Sequence, residues 1–82
     1  MKEVGQVFSY YSKIGVAAIK LTGSLKVGDK IKIQGHTTNF EQIVNSMQIE
    51  HINVQKAKAG NEVGIKVQDN VRRYDKVFKI ED

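Results

Sequence analysis

The sequence predicts an all-β fold: a small closed antiparallel β-barrel of about six to seven strands, built from one domain over residues 1–82. Three observations predict it. Short runs rich in β-branched and aromatic residues alternate apolar with polar positions, the period of a half-buried strand. Turn residues recur between these runs at roughly 8–12-residue spacing, as in small sandwiches and barrels. The chain has no proline and seven glycines, so its turns fall to Gly, Asn and Asp. Closure follows from size, because a domain this short buries only about 60% of its surface and an open sheet would leave its edges bare.

The first strand is read over Val4–Tyr10, a run of Val, Phe and Tyr suited to a pleated surface. After a turn at Tyr11-Ser12-Lys13, Val16–Leu21 places Ala17, Ile19 and Leu21 on one face and Lys20 on the other. Thr22-Gly23-Ser24 ends that strand, and Leu25–Asp29 connects to Lys30-Ile31-Lys32-Ile33-Gln34, the strictest alternation in the chain. Thr38–Ala59 supports two readings. Phe40, Ile43, Val44 and Met47 follow the i, i+3, i+4, i+7 helical pattern, and Thr38 with Glu41 resembles a capping box. Against the helix, Glu50 and His51 fall on its next apolar positions, and Met47/Ile49 and Ile52/Val54 alternate as strands do. Beyond the Gly60-Asn61 turn, Glu62–Gln68 points Val63, Ile65 and Val67 inward, with Gly64 expected to admit a close neighbour at a barrel corner. Val71–Asp75 is a charged connector, Lys76–Ile80 a last strand, and Glu81-Asp82 an acidic end.

Composition removes several function classes. With no cysteine, disulfides, thiolate metal sites and cysteine nucleophiles are absent. His36 and His51 lack partners at metal-ligand spacing, and Glu50 and His51 face opposite ways on a strand, so no metal is expected. Ser9, Ser12, Ser24 and Ser46 sit in no nucleophile elbow, and no Gly-rich phosphate loop is present. The expectation is a non-enzyme without cofactor. No apolar run approaches the ~20 residues of a membrane span, nor does the start resemble a signal peptide, so the expected setting is cytoplasmic.

The formal net charge of +4 is unevenly spread: residues 1–33 carry +4, residues 34–55 carry −2 and residues 56–82 carry +2. Lys30 and Lys32 share a strand face, with Lys20 and Lys26 just before them. Arg72, Arg73 and Lys76 form a second basic group around Tyr74, combining phosphate-binding forks with a stacking ring. These eight residues are the candidate RNA contacts. Phe40, Ile49 and Ile52, in the acidic middle, are the candidate protein-interaction residues.

Three segments carry a family resemblance. Gly15–Ile31, with its Leu25-Lys26-Val27-Gly28-Asp29 core, resembles the second domain of translational GTPases such as elongation factor Tu. So does Ala57-Lys58-Ala59-Gly60-Asn61-Glu62-Val63-Gly64-Ile65, and Val71–Val77 is similar to that family's closing motif with Tyr74 where glycine is usual. The resemblance implies a stand-alone translation-factor barrel, with strands over Phe40–Val54. It also places Gln48, His51 and Glu62 at the family's aminoacyl-end positions, none with the family's residue there. No GTPase domain accompanies the barrel, so no GTP is expected. Barrels at the tail of collagenase-like peptidase-family proteins resemble the chain more than the full factors do. The implied function is a binding module contacting transfer or ribosomal RNA, in translation or transfer-RNA modification. The alternative is a protein-interaction module docking on a peptidase-family or translation-related enzyme.

Overall fold

The computed structural model describes residues 1–80, and the acidic end Glu81-Asp82 lies outside them. The described chain forms ten strands and no helix: β1 (Lys2–Tyr11), β2 (Val16–Leu21), β3 (Leu25–Lys26), β4 (Lys30–Gln34), β5 (Asn39–Ile43), β6 (Met47–Ile49), β7 (Ile52–Asn53), β8 (Lys56–Ala57), β9 (Glu62–Lys66) and β10 (Lys76–Ile80). All pairings are antiparallel. Eight strands make one sheet in the order β5-β4-β10-β1-β2-β9-β6-β7, and β3 pairs with β8 in a separate ribbon.

Alternation sets the core. Ala17, Ile19 and Leu21 of β2, Ile31 and Ile33 of β4, Val63 and Ile65 of β9 and Val77 of β10 are all buried. Their polar neighbours, Lys20, Lys30, Glu62 and Lys76, face out. Val4, Val7, Leu25, Val44, Met47, Ala57, Val67 and Val71 complete the same cluster.

One turn occurs three times. In Lys26-Val27-Gly28-Asp29, Asp29 N–H donates to Lys26 O (3.1 Å) and Asp29 Oδ2 accepts from Lys26 N–H (3.0 Å). Lys58-Ala59-Gly60-Asn61 repeats both bonds, at 3.1 and 2.9 Å. Arg72-Arg73-Tyr74-Asp75 repeats them again, at 3.1 and 2.7 Å. The third residue has positive φ in each: Gly28 at 100°, Gly60 at 95° and Tyr74 at 77°. That is the pattern of a type II turn, closed by the fourth residue's side chain. Tyr74 thus occupies a conformation that costs a side chain about 1–2 kcal/mol.

The segment with two readings is extended, as β5 to β8. The helical pattern misleads because the inward position on β5 is the polar Gln42, which is buried, whereas the apolar Ile43 faces out at 44% exposure. Swapping one polar and one apolar residue between faces turned a period of two into an apparent period near 3.6.

The expected closed barrel of six to seven strands is not formed. The sheet ladder ends at β5 on one side and at the short β7 on the other. Beyond Ile43 the chain leaves the ladder, and Val44 instead exchanges backbone bonds with the β3–β4 turn: Gly28 N–H to Val44 O and Val44 N–H to Asp29 O, both 2.9 Å. Side chains bridge part of the opening. Gln42 Nε2 donates to Lys66 O and Gln42 Oε1 accepts from Gln68 N–H, both 2.9 Å, while Gln68 Nε2 donates to Glu41 O at 2.9 Å. Gln42 and Gln68 thus join β5 to the end of β9 in place of a strand.

Candidate functional site

The outer face of β1, β2, β9 and β6 carries a groove of ≈ 790 Å³. Its floor is made by small residues. Ala18 stands opposite Gly64 across β2–β9, and Gly64 opposite Gln48 across β9–β6. Gly64 has no positive φ and faces this groove, where a Cβ would meet only Val16 Cγ1 at 3.3 Å. The expected close neighbour at Gly64 is there, since 3.3 Å is tighter than an ordinary Cβ contact, but it is the Val16 side chain of β2 on the groove face and not the corner of a closed barrel. A bulge in β1 builds one wall. Val7 pairs with Ile19 and Ser9 with Ala18, so Phe8 is the extra residue. Bulges re-aim side chains, and Phe8 stands 37% exposed beside Tyr11 at 52% and Ile14 at 60%. All three line the groove, with Ile49, Glu50 and His51 opposite. Glu50 and His51 form the β6–β7 turn with φ of 51° and 66°, a conformation that usually selects Asn or Gly.

The eight predicted RNA contacts fall into three places. Lys20, Lys76, Lys30 and Lys32 stand on the outer sheet face, where Gln6 of β1 is opposite Lys20 on one side and Lys76 on the other. Three of the four have carboxylate partners: Lys20 with Glu62 (3.6 Å), Lys30 with Glu41 (3.5 Å) and Lys76 with Glu3 (3.7 Å). Lys32 stands opposite Glu41 as well. This face is a mixed-charge lattice, in which each exposed pair contributes about 0–1 kcal/mol. Arg72, Arg73 and Tyr74 form the turn before β10, with the Arg73 guanidinium 5.4 Å from the Tyr74 ring centre. Lys26 lies apart, on the β3–β8 ribbon opposite Lys56.

Of the predicted protein-interaction residues, Ile49 lines the groove. Ile52 stands opposite it in the β6–β7 hairpin, 67% exposed, and Phe40 on β5 packs partly against the core. Sequence reasoning missed Phe8, Tyr11 and Ile14. Their one signal is the adjacent apolar pair Val7-Phe8, where alternation skips a beat. Gln48, His51 and Glu62 all reach the groove. Gln48 donates to Asn53 Oδ1 at 3.0 Å, and Glu62 is held by Lys20. Among the described residues, no group of three or more His, Asp or Glu gathers in a metal-binding arrangement. No helix among them is long and apolar enough to cross a membrane.

Comparison with known proteins leads away from translation. No protein-family model matches the chain. It is 44% identical over 81 residues to an uncharacterized protease of Methanocaldococcus jannaschii, an alignment covering 98% of this chain and 20% of that protein. It is 36% identical over 80 residues to a collagenase of Porphyromonas gingivalis, covering 95% of this chain and 22% of the relative. The chain thus spans about a fifth of the length of the curated relatives it matches. Its fold is that of the C-terminal domain of a candidate U32 peptidase from Geobacillus thermoleovorans: TM-score 0.91, 22% identity, 98% of this chain and 93% of that one covered. These similarities overturn the assignment to an elongation factor Tu-like translation factor. The Val-Gly-Asp and Ala-Gly-Asn segments that carried that resemblance are two copies of the repeated turn, a local solution that fixes the start of a strand without specifying a family.

Proposed function

We propose that this chain is an accessory binding module of a peptidase-family protein, with no catalytic role of its own, and that the groove on the β1-β2-β9-β6 face is its docking surface. The observation that carries the reading is the alignment: nearly the whole chain matches one fifth of a protease and of a collagenase. In such proteins this module adjoins a much larger remainder and has to present a surface to it. The groove fits that role. Phe8, Tyr11 and Ile14 are exposed apolar side chains gathered along one wall, and exposed apolar groupings of this kind mark interaction sites. Aromatic side chains over a floor of small residues provide the anchor-and-pocket arrangement on which interface energy concentrates.

The test is binding in trans. The Methanocaldococcus jannaschii relative, lacking its own matching fifth, is titrated with this chain by calorimetry. Association at about 10 μM or tighter is expected. Ala18→Arg, which fills the groove floor from an outward position, should weaken it more than tenfold, whereas Ile52→Ser outside the groove should not. No heat and no co-elution at about 100 μM would sink the proposal. Equal loss with Ile52→Ser would move the surface to the β6–β7 hairpin.

A further inference from the structure

A second concavity, at the end of the fold beside the β3–β8 ribbon, is lined by four lysines. It holds ≈ 510 Å³ between Ser24, Leu25, Ala57 and Asn61, with Lys26, Lys56, Lys58 and Lys79 around it. We propose that this pocket is an anion site for a small oligophosphate, two or three linked phosphate groups.

Four observations support the assignment. First, Lys26 and Lys56 are direct cross-strand partners in the ribbon. Like charges placed so are destabilising by themselves, and an anion between them reverses that cost. Second, Lys26 and Lys58 occupy the same position in two copies of the same turn, Lys26-Val27-Gly28-Asp29 and Lys58-Ala59-Gly60-Asn61. Both ammonium stems therefore leave from rigid, self-capped backbone. Third, Lys79 shares the inward phase of β10 with buried Val77, and its side chain is only 24% exposed. Its charge is matched by Asp29, 10% exposed, at 3.3 Å, a carboxylate that also accepts from the Lys26 N–H, so Lys79 closes the pocket wall and the unmatched charge rests with the other three lysines. Among the described residues, no carboxylate is paired with Lys26, Lys56 or Lys58. Fourth, the floor includes buried Leu25 and Ala57, so one side of the site is apolar protein rather than water, while the ammonium groups of Lys26, Lys56 and Lys58 stand exposed around it. Lysines are compact point charges suited to phosphate oxygens, and the volume is that of a small-ligand site.

The experiment titrates sodium tripolyphosphate into the 15N-labelled chain at constant ionic strength, with sulfate as control and a ten-residue oligonucleotide as a separate arm. Tripolyphosphate should shift the amides of residues 24–26, 56–58 and 79 at concentrations at least tenfold below sulfate. Lys56→Gln and Lys58→Gln should each weaken it about tenfold, the loss of one charge-assisted contact, whereas Lys13→Gln, outside the pocket, should not. Without ligand, Lys56→Gln should melt at or slightly above the parent temperature. A lysine kept for a structural ion pair would instead lower it. Silence up to about 10 mM tripolyphosphate, equal weakening by Lys13→Gln, or binding of the oligonucleotide alone would each overturn the proposal.

Discussion

Replacing Gln42 tests whether side chains hold the opening between β5 and β9. Gln42 is buried, and its amide satisfies Lys66 O and Gln68 N–H at 2.9 Å each. Gln42→Met keeps length and volume but leaves both backbone groups without a partner. A buried group so stranded costs about 1–3 kcal/mol. Because Lys66 and Gln68 are themselves exposed residues, water recovers part of this, and the lower end applies to each. The sum is about 2 kcal/mol, or roughly 8–16 °C of melting temperature for a domain of this size. Urea denaturation and a thermal melt read both. Gln42→Glu refines the test. A carboxylate accepts from Gln68 N–H but cannot donate to Lys66 O unless protonated. Burial and the facing carbonyl raise its folded-state pKa above the unfolded value of about 4.3. A raised pKa contributes stability that is fully present below the unfolded pKa and is lost as pH rises through the folded one. Gln42→Glu should therefore approach the parent near pH 4 and fall below it by pH 7. If Gln42→Met costs less than about 0.5 kcal/mol, or Gln42→Glu is flat with pH, the bridge does not hold the seam.

Three further outcomes follow from the geometry. Tyr74 has φ of 77°, so Tyr74→Gly should exceed Tyr74→Ala in stability by about 1 kcal/mol, and equal melting temperatures would mean that the turn relaxes. A Cβ on Gly35 would overlap the Asp75 carboxylate, which is pinned to Arg72 N–H at 2.7 Å. Gly35→Ala should thus cost about 2 kcal/mol alone and much less on top of Asp75→Ala, a coupling that a double-mutant denaturation cycle measures. Ile65→Ala removes a fully buried core side chain from β9, and equilibrium unfolding should register a loss of about 2–5 kcal/mol.

Strand order along the chain and the core were legible wherever alternation was clean. Ile31/Ile33, Val63/Ile65 and Ala17/Ile19/Leu21 announce their faces directly. Legibility failed where a polar residue took an inward position for a reason only the fold supplies. Gln42 is buried because the backbone of residues 66–68 needs it, and no local pattern encodes a partner so distant. The failure to close was unreadable for the same reason, since the opening between β5 and β9 is bridged by the side chains of Gln42 and Gln68 rather than by another alternating run. The groove escaped because the bulge at Phe8 shifts the phase of β1, so that Tyr10 packs against the core and Tyr11 joins Phe8 on the outer face. The basic residues were found by composition, but their carboxylate partners sit on neighbouring strands, and the lysine pocket draws on β3, the segment from β8 into its turn, and β10, which only the topology brings together.

The three turns also carry a constraint on chain length. Each is followed at once by the same phase, one charged residue out and one aliphatic residue in: Lys30-Ile31, Glu62-Val63 and Lys76-Val77. The turn therefore acts as a frame marker for the strand behind it. Inserting or deleting one residue between a turn and its strand would exchange the two faces of β4, β9 or β10 and drive lysine or glutamate into the core. Natural variation in length should accordingly be confined to connections without such a marker, around Ser12-Lys13 and Asp69-Asn70, while the spacing from each basic turn residue to its strand stays fixed.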